Sequence, residues 1–186
     1  MESTHQLYRD LDRILLTQEE IEQKVREMGR KITEDFAGKD IICICILKGA
    51  SVFFCDLIRQ IDLPLSIEFM AVSSYGASTK STGVVRILKD LDRSVEGKDV
   101  LIIEDIVDSG VTLNYLKGVM SHRGAKSISI VTLLDKPARR RVDLQADYSC
   151  FEIPDAFVVG YGLDYDEKYR NLPDIGVLSP SVYANN

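Results

Sequence analysis

Residues 100–113 read VLIIEDIVDSGVTL, and this stretch decides the fold. The four apolar residues at 100–103 predict a strand that is buried on both faces, which is typical of parallel sheets. A helical apolar stripe follows over residues 112–123. The loop between them consists of Asp108, Ser109, Gly110, Val111 and Thr112. Its small residues and hydroxyls, together with the positive end of the helix dipole, favour a bound phosphate.

Two adjacent acids, Glu104 and Asp105, stand between this strand and the loop. A carboxylate repels a phosphate, so these side chains are better suited to sugar hydroxyls or to a bridging Mg²⁺. A ligand that carries a phosphate, a diol and a metal-bound polyphosphate would therefore satisfy every part of the stretch.

Further strands and helices alternate on both sides of this stretch. Thr17 and Glu20 form a T-x-x-E capping box before a helical stripe, and Ser51 can cap a second helix. Apolar runs predict strands at residues 41–47, 65–72, 84–88, 127–134, 157–159 and 175–178. The alternation predicts an α/β fold with a mainly parallel sheet flanked by helices. The length favours a single domain over residues 1–186.

Polar residues gather where the predicted strands end. Lys48 and Gly49 follow the strand at 41–47, and Lys136 follows the strand at 127–134. A loop of small polar residues at 73–83 separates two strands that we expect to pair. Because ligands bind beyond the carboxyl ends of the strands in an open parallel sheet, we expect these residues and the 108–112 loop to meet at one edge.

Composition and charge exclude several classes of function. The formal net charge of −6 makes the chain a poor candidate for sequence-independent nucleic-acid binding. No apolar run approaches the roughly 20 residues that a membrane-spanning helix needs, and the first ten residues lack a secretory signal. We therefore expect a cytoplasmic protein with no nucleic-acid partner and no membrane partner.

Two further groups of residues receive no function from their spacing. The cysteines lack a second Cys or His pair at metal-site spacing, so we expect small buried reduced thiols. The basic run of Arg139, Arg140 and Arg141 is expected to be a solvated loop, with a phosphate contact or an oligomer contact as the alternative.

Several motifs, in the order of a known family, carry a specific resemblance. Residues 100–113 resemble the 5-phosphoribosyl diphosphate motif of the type I phosphoribosyltransferases, and other motifs resemble those of the hypoxanthine-guanine phosphoribosyltransferase branch. Those motifs are the diphosphate loop Leu47-Lys48-Gly49-Ala50, the start of a mobile loop at Ser74-Tyr75-Gly76, the purine site at Lys136, FEIPD (151–155) and FVVGYGLD (157–164), and Arg170. The resemblance implies a core of about residues 38–160, with a small hood made by the two ends of the chain.

For the sugar donor, the resemblance implies that the chain binds 5-phosphoribosyl diphosphate together with Mg²⁺. The residues implied for the ribose and the 5′-phosphate are Glu104, Asp105, Asp108, Ser109, Gly110, Val111 and Thr112. The residues implied for the diphosphate are Lys48, Gly49 and Arg170. The implied metal ligands are Glu104, Asp105 and Asp164, the last of which is also implied in the purine site.

For the acceptor, the resemblance implies a 6-oxopurine base, hypoxanthine or guanine. Asp108 is the implied catalytic residue, because a carboxylate beside nitrogen 7 can take the proton of the base as the glycosidic bond forms. Lys136 would donate to the purine 6-oxygen, so adenine should be rejected. Phe157 would stack on the purine ring, and the backbone of Val158 would meet its edge.

The resemblance also implies a mobile loop and an assembly. The loop that begins with Ser74 and Tyr75 would close over the site and exclude water, which otherwise hydrolyses the donor. Members of the family form dimers and tetramers, so we expect a homodimer or a homotetramer.

Three other functions fit part of this pattern. A non-enzymatic sensor of 5-phosphoribosyl diphosphate would keep residues 104–112 but could lose the base site. A signalling receiver domain also has acids after a strand and a Lys-Pro pair, as at 136–137, but its acids follow the first strand. A phosphoribosyltransferase for another base is disfavoured by residues 151–170. Lys48, Lys136, Asp164 and Arg170 would each be ordinary surface residues if they stood alone, and it is their joint occurrence at strand ends that favours the enzyme.

Overall fold

A mainly parallel sheet of six strands forms the centre of the computed structural model, which describes residues 6–74 and 85–184. The elements are, in chain order, β1 (Leu11–Leu16), α1 (Gln18–Asp35), β2 (Ile41–Leu47), α2 (Ser51–Ile58), β3 (Leu65–Ser74), β4 (Val85–Lys89), β5 (Asp99–Val107), α3 (Val111–His122), β6 (Ser127–Asp135), β7 (Tyr148–Glu152), β8 (Val158–Val159), β9 (Ile175–Leu178) and α4 (Pro180–Tyr183). The 3-10 turns Gln6–Asp10 and Pro137–Arg139 precede β1 and follow β6.

The strand order in this central sheet is β4-β3-β2-β5-β6-β7. All neighbouring pairs are parallel except β3 and β4, which pair antiparallel. The predicted pairing across the loop at 73–83 is therefore confirmed, as is the predicted α/β class. Since β2 has β3 on one side and β5 on the other, the order reverses between β2 and β5, which is the place where open sheets bind ligands.

The period of two along the strands separates the two faces of the sheet. Cys43, Cys45 and Leu101 point to the face covered by α1 and α2. Ile44 and Ile102 point to the other face, which α3 covers. Reversal of the strand order thus places the helix that follows the 108–112 loop on the opposite side from the first two helices.

Helix α1 begins as the sequence predicts. The hydroxyl of Thr17 accepts a hydrogen bond from the backbone N–H of Glu20, and the Glu20 carboxylate accepts one from the backbone N–H of Thr17. The predicted apolar stripe is buried, from Ile21 to Phe36.

Helix α2 differs from the prediction at its start. Ser51 is the first helical residue and its own N–H donates to the carbonyl of Lys48, so the cap position falls to Ala50, whose methyl group cannot cap. The buried side chains are Phe53, Phe54 and Leu57, while Val52 is 36% exposed. The helix begins directly after the Lys48–Ala50 turn, so that turn sets the rotation of the helix about its own axis.

Strand β5 continues beyond the predicted end at residue 103. It pairs with β6 as far as Val107 and Asp135, so Glu104 and Asp105 lie inside the strand and not after it. Pairing with β2, however, ends at Cys45 and Ile103. The two acids therefore lie where β2 and β5 have separated.

A second sheet joins the two ends of the chain. Strands β1, β9 and β8 form an antiparallel sheet of three strands within the described residues, and the predicted hood is this sheet. Its own apolar cluster contains Val159, Leu172 and Leu178, with Leu7 and Val182 packed against them. Sequence reasoning missed β1 and β7. The domain boundaries at about 38 and 160 stay a prediction.

None of the helices in the described part of the chain is long and apolar enough to cross a membrane.

Candidate active site

The crevice between the ends of β2 and β5 brings the first two predicted groups together. A Cβ atom added to Gly49 would lie 1.7 Å from Oδ2 of Asp105, so the Lys48-Gly49 turn passes directly over this carboxylate. The peptide bond between Leu47 and Lys48 is cis. A side chain at position 49 would displace the acid, which explains why glycine is needed there.

The acidic pair is half-buried and electrostatically strained. Burial raises the pKa of the Glu104 carboxyl well above its usual range, and the neighbouring Asp105 charge adds to the rise. Burial also raises the pKa of Asp105, against the opposing effect of Arg170. A cation bound between these carboxylates would offset the cost of burying their negative charges and the repulsion between them.

The 108–112 loop forms a small cavity at the start of α3. Gly110 has φ of 78°, the left-handed conformation that glycine adopts without steric cost, and the helix begins at Val111. The cavity of about 100 Å³ is lined in part by Ser109, Gly110 and Thr112. Val111 is not one of its lining residues. The loop therefore has the size and the helix N-terminus that a phosphate needs.

Arg140 holds the backbone of this loop by a hydrogen bond. Its Nη1 donates to the carbonyl oxygen of Asp108 at 2.7 Å, and its Nη2 pairs closely with Asp135. The side chain of Arg140 is largely buried. The interpretation of the arginine run as a solvated loop is thus wrong for this residue.

A larger cavity of about 310 Å³ opens beside the loop. Its lining residues are Ile106, Asp108, Lys136, Arg139, Asp155, Ala156, Phe157, Val158, Leu163 and Asp164. Lys136, Phe157, Val158 and Asp164, the residues implied to contact the base, all contribute to this lining. Both apolar residues, such as Phe157 and Val158, and charged residues, such as Asp108 and Lys136, line the cavity. Its size suits a fused two-ring base.

Lys136 lines this cavity and is buried, with 8% of its surface exposed. Its Nζ donates to the carbonyl oxygen of Ala156 at 2.6 Å. Burial lowers the pKa of Lys136, while the charges of Asp108 and Asp155 oppose the shift. The side chain is therefore held in the cavity as a hydrogen-bond donor.

Asp108 and Asp155 are bridged by Arg139. The Nε atom of Arg139 lies 2.8 Å from Oδ1 of Asp108, and its Nη1 lies 3.2 Å from Oδ1 of Asp155. Sequence reasoning missed Arg139 as a site residue, because its partners lie far from it in the sequence.

Arg170 belongs to a turn that packs against the Lys48-Gly49 turn. Its Nη1 donates to the carbonyl of Gly162, and its Nη2 pairs with Asp164 at 2.9 Å. Gly162, with φ of 100°, would clash with the carbonyl oxygen of Gly49 if it carried a Cβ. Lys48 reaches the same turn by pairing with Glu167 at 2.9 Å. The three residues predicted for the diphosphate are thus brought together.

Two predicted assignments are less complete in the structure. Asp164 lines the larger cavity, but no group of three or more metal-ligating side chains occurs among residues 6–74 and 85–184. The backbone of Ser74 ends β3 by pairing with Val85. Tyr75 and the rest of the predicted mobile loop lie outside the described residues.

Comparison with known proteins agrees with this geometry. The family model for the phosphoribosyl transferase domain matches residues 13–166. The hypoxanthine-guanine phosphoribosyltransferase of Bacillus subtilis (strain 168) is 58% identical over 176 residues, which cover 95% of this chain and 98% of that protein. The same-named protein of Staphylococcus aureus (strain Mu50) is 54% identical over 179 residues, covering 96% of this chain and 100% of that protein.

A crystal structure of a hypoxanthine phosphoribosyltransferase from Staphylococcus aureus superimposes with a TM-score of 0.95, at 53% identity, over 98% of this chain and 99% of that one. The chain belongs to the phosphoribosyltransferase family. Within that family it falls in the branch of hypoxanthine-guanine phosphoribosyltransferases, as the sequence motifs predicted.

Proposed function

We propose that this chain catalyses the transfer of the 5-phosphoribosyl group from 5-phosphoribosyl diphosphate to hypoxanthine or guanine. A ring nitrogen of the base forms a bond to the ribosyl carbon, the bond from that carbon to the diphosphate oxygen breaks, and diphosphate leaves with the electron pair. The products are the nucleoside monophosphate and diphosphate. The observation that carries this proposal is the meeting of a phosphate loop, an acidic pair and a base-sized cavity at one edge of the sheet.

The donor would bind across the crevice between β2 and β5. Its 5′-phosphate fits the small cavity of the 108–112 loop, and the diphosphate fits the Lys48-Gly49 turn beside Arg170. The Nε atom of Arg170 is buried and has no hydrogen-bond partner within the described residues, so it has a donor to spare for a ligand. The ribose hydroxyls would face Glu104 and Asp105.

The acidic pair fits Mg²⁺. Mg²⁺ commonly binds through one or two carboxylates and completes its shell with water and substrate phosphate oxygens. Glu104 and Asp105 supply two carboxylates, and burial makes their negative charges costly without a cation. Bound there, the ion would neutralise charge on the departing diphosphate. Asp164 is a further proposed ligand.

The base would lie in the larger cavity. Lys136 would donate to the 6-oxygen, an acceptor that adenine does not offer. Phe157 would stack on the ring, and the backbone of Val158 would meet its edge. Asp108 lines both this cavity and the smaller cavity of the 108–112 loop. Its carboxylate would therefore lie between the two substrates and would take the proton that the base loses.

One assay tests the proposal. The protein is mixed with 5-phosphoribosyl diphosphate, Mg²⁺ and, separately, hypoxanthine, guanine, xanthine and adenine, and nucleotide formation is followed by absorbance. We expect product from hypoxanthine or guanine, none from adenine, and loss of activity on chelation of the metal that a return of Mg²⁺ reverses. Donor binding without product from any of these bases would instead identify a non-enzymatic sensor, an alternative for which the comparisons give no support.

We further propose a cytoplasmic location and, from the family resemblance, a homodimeric or homotetrameric assembly. Light scattering of the purified protein measures the assembly, and a monomer at micromolar concentration would contradict it.

A further inference from the structure

Three aromatic rings form a cluster at the rim of the base cavity. The ring of Phe157 is stacked against that of Tyr183, with centroids 5.4 Å apart and planes inclined by 30°. The ring of Tyr165 contacts Phe157 edge-on, with centroids 5.6 Å apart. Tyr183 comes from α4, close to the C-terminus, so the last helix of the chain reaches the proposed base site.

The geometry of the cluster leaves one face of Phe157 open. The centroids of Tyr165 and Tyr183 are 6.4 Å apart, which makes the three rings a nearly equilateral triangle. The two tyrosines therefore lie on the same side of Phe157 and not on its opposite faces. Phe157 keeps 43% of its surface exposed and lines the cavity, whereas neither tyrosine belongs to the cavity lining. One face of the ring is thus backed by protein and the other is available to a base.

Tyr183 is itself held by the hood. The N–H of Leu178 donates to the carbonyl of Phe157 at 2.9 Å, so the last strand is bonded to the backbone of the stacking residue. Helix α4 follows at once and is tied to the N-terminal segment, because the N–H of Ser179 donates to the carbonyl of Asp10 at 2.8 Å. Val182 and Tyr183 both pack on the apolar cluster of the hood. The tyrosine is consequently a fixed support.

We infer that Tyr183 is a positioning residue for the base: it holds the ring of Phe157 so that its open face is already aligned when the purine arrives. This inference rests on the proposed function, since it assumes that a base stacks on Phe157. Without this support, the partly exposed side chain of Phe157 would sample other rotamers, and the base would have to order it on binding. A ring fixed by stacking avoids that cost.

The test replaces the aromatic ring but keeps an apolar side chain against the hood. Tyr183→Leu removes stacking and retains packing, Tyr183→Phe retains both, and Tyr115→Leu is a matched control on the exposed side of α3. An aromatic pair contributes about 0.5–1.5 kcal/mol, so Tyr183→Leu should raise the KM for hypoxanthine about two- to tenfold. The KM for the donor, kcat and Tm should stay close to wild type, and Tyr183→Phe and Tyr115→Leu should resemble wild type throughout.

A double variant checks that the effect passes through Phe157. Phe157→Leu alone should raise the KM for the base, and adding Tyr183→Leu should raise it no further, because the ring to be positioned is gone. An unchanged base KM in Tyr183→Leu would overturn the inference, and so would an equal rise in the KM of both substrates, which would indicate a general structural role. A wild-type protein that forms no nucleotide would instead overturn the proposed function, and the inference with it.

Discussion

Replacing Asp108 by Asn tests the proposed chemistry most directly. The amide has nearly the same shape but cannot take a proton, so the change removes the proposed base and little else. General acid–base catalysis of this kind contributes about 10²–10⁴-fold, or about 3–5 kcal/mol in the barrier, and we expect kcat to fall by that amount. The donor KM should change by less than about threefold, because the proposed phosphate contacts are the N–H groups and hydroxyls of the loop and the start of α3, which the change leaves in place.

The structure also predicts a small loss of stability in the Asp108→Asn variant. The Asp108–Arg139 ion pair joins side chains that are nearly half exposed, and pairs of this kind contribute about 0–1 kcal/mol. Arg139 keeps its contact with Asp155, and the bond from Arg140 to the carbonyl of Asp108 does not involve the changed group. For a chain of this length the Tm should therefore fall by less than about 4 °C.

A matched control separates chemistry from the loss of an ion pair. Asp90 pairs with Arg123 at 2.7 Å near the far end of α3, so Asp90→Asn breaks a similar contact away from the site. Steady-state kinetics with hypoxanthine and calorimetry on both variants complete the experiment. If Asp108→Asn turned over at nearly the wild-type rate, or if Asp90→Asn lost as much, the assignment of Asp108 as the base would be wrong.

Three further predictions follow from single features of the structure. Gly49→Ala should lower kcat/KM for the donor by about 10²-fold, because its new methyl group would push the Asp105 carboxylate out of place; Gly118→Ala, which meets open space on α3, is the control and should be nearly silent. Alkylation of the native protein at pH 8 should label Cys55 alone among the cysteines, as judged by peptide mass, and labelling of a second thiol would contradict the burial. The other three thiols are those of Cys43, Cys45 and Cys150. Burial raises the pKa of each of them to about 12, so they stay protonated and unreactive at pH 8. Thr17→Ala should lower the free energy of unfolding by about 1 kcal/mol and leave kcat unchanged, since it removes a helix cap remote from the site; denaturant unfolding measures it, and an unchanged midpoint would refute it.

The sequence predicted most reliably where a local pattern had one structural solution. The strand at Ile41–Leu47 has the predicted bounds, because a short β-branched apolar run fits only a strand covered on both faces. The capping box at Thr17 fixed the start of α1 for a similar reason, since the bonds that define it span three residues. The 108–112 loop could be predicted as a tight turn before a helix because its small residues are consecutive in the sequence.

The errors arose where neighbours in space outweighed neighbours in sequence. Glu104 and Asp105 were expected after the strand, but pairing with β6 carries the strand through them. Ser51 was expected to cap a helix whose start is set by the turn before it. Arg140 was expected in solvent, and its burial depends on a carbonyl and a carboxylate that only the fold brings near.

The sequence by itself predicted the α/β class and the tight 108–112 loop before a helix, because hydrophobic period and turn chemistry act over a few residues. The residues expected to contact the base came from the family resemblance. Only the tertiary structure decided that Arg139 bridges Asp108 and Asp155, and that the ring of Tyr183 stacks on that of Phe157. Those contacts join parts of the chain that are separated by many residues, and their formation depends on how the strands are ordered and how the hood closes on the sheet. A local pattern carries no information about either.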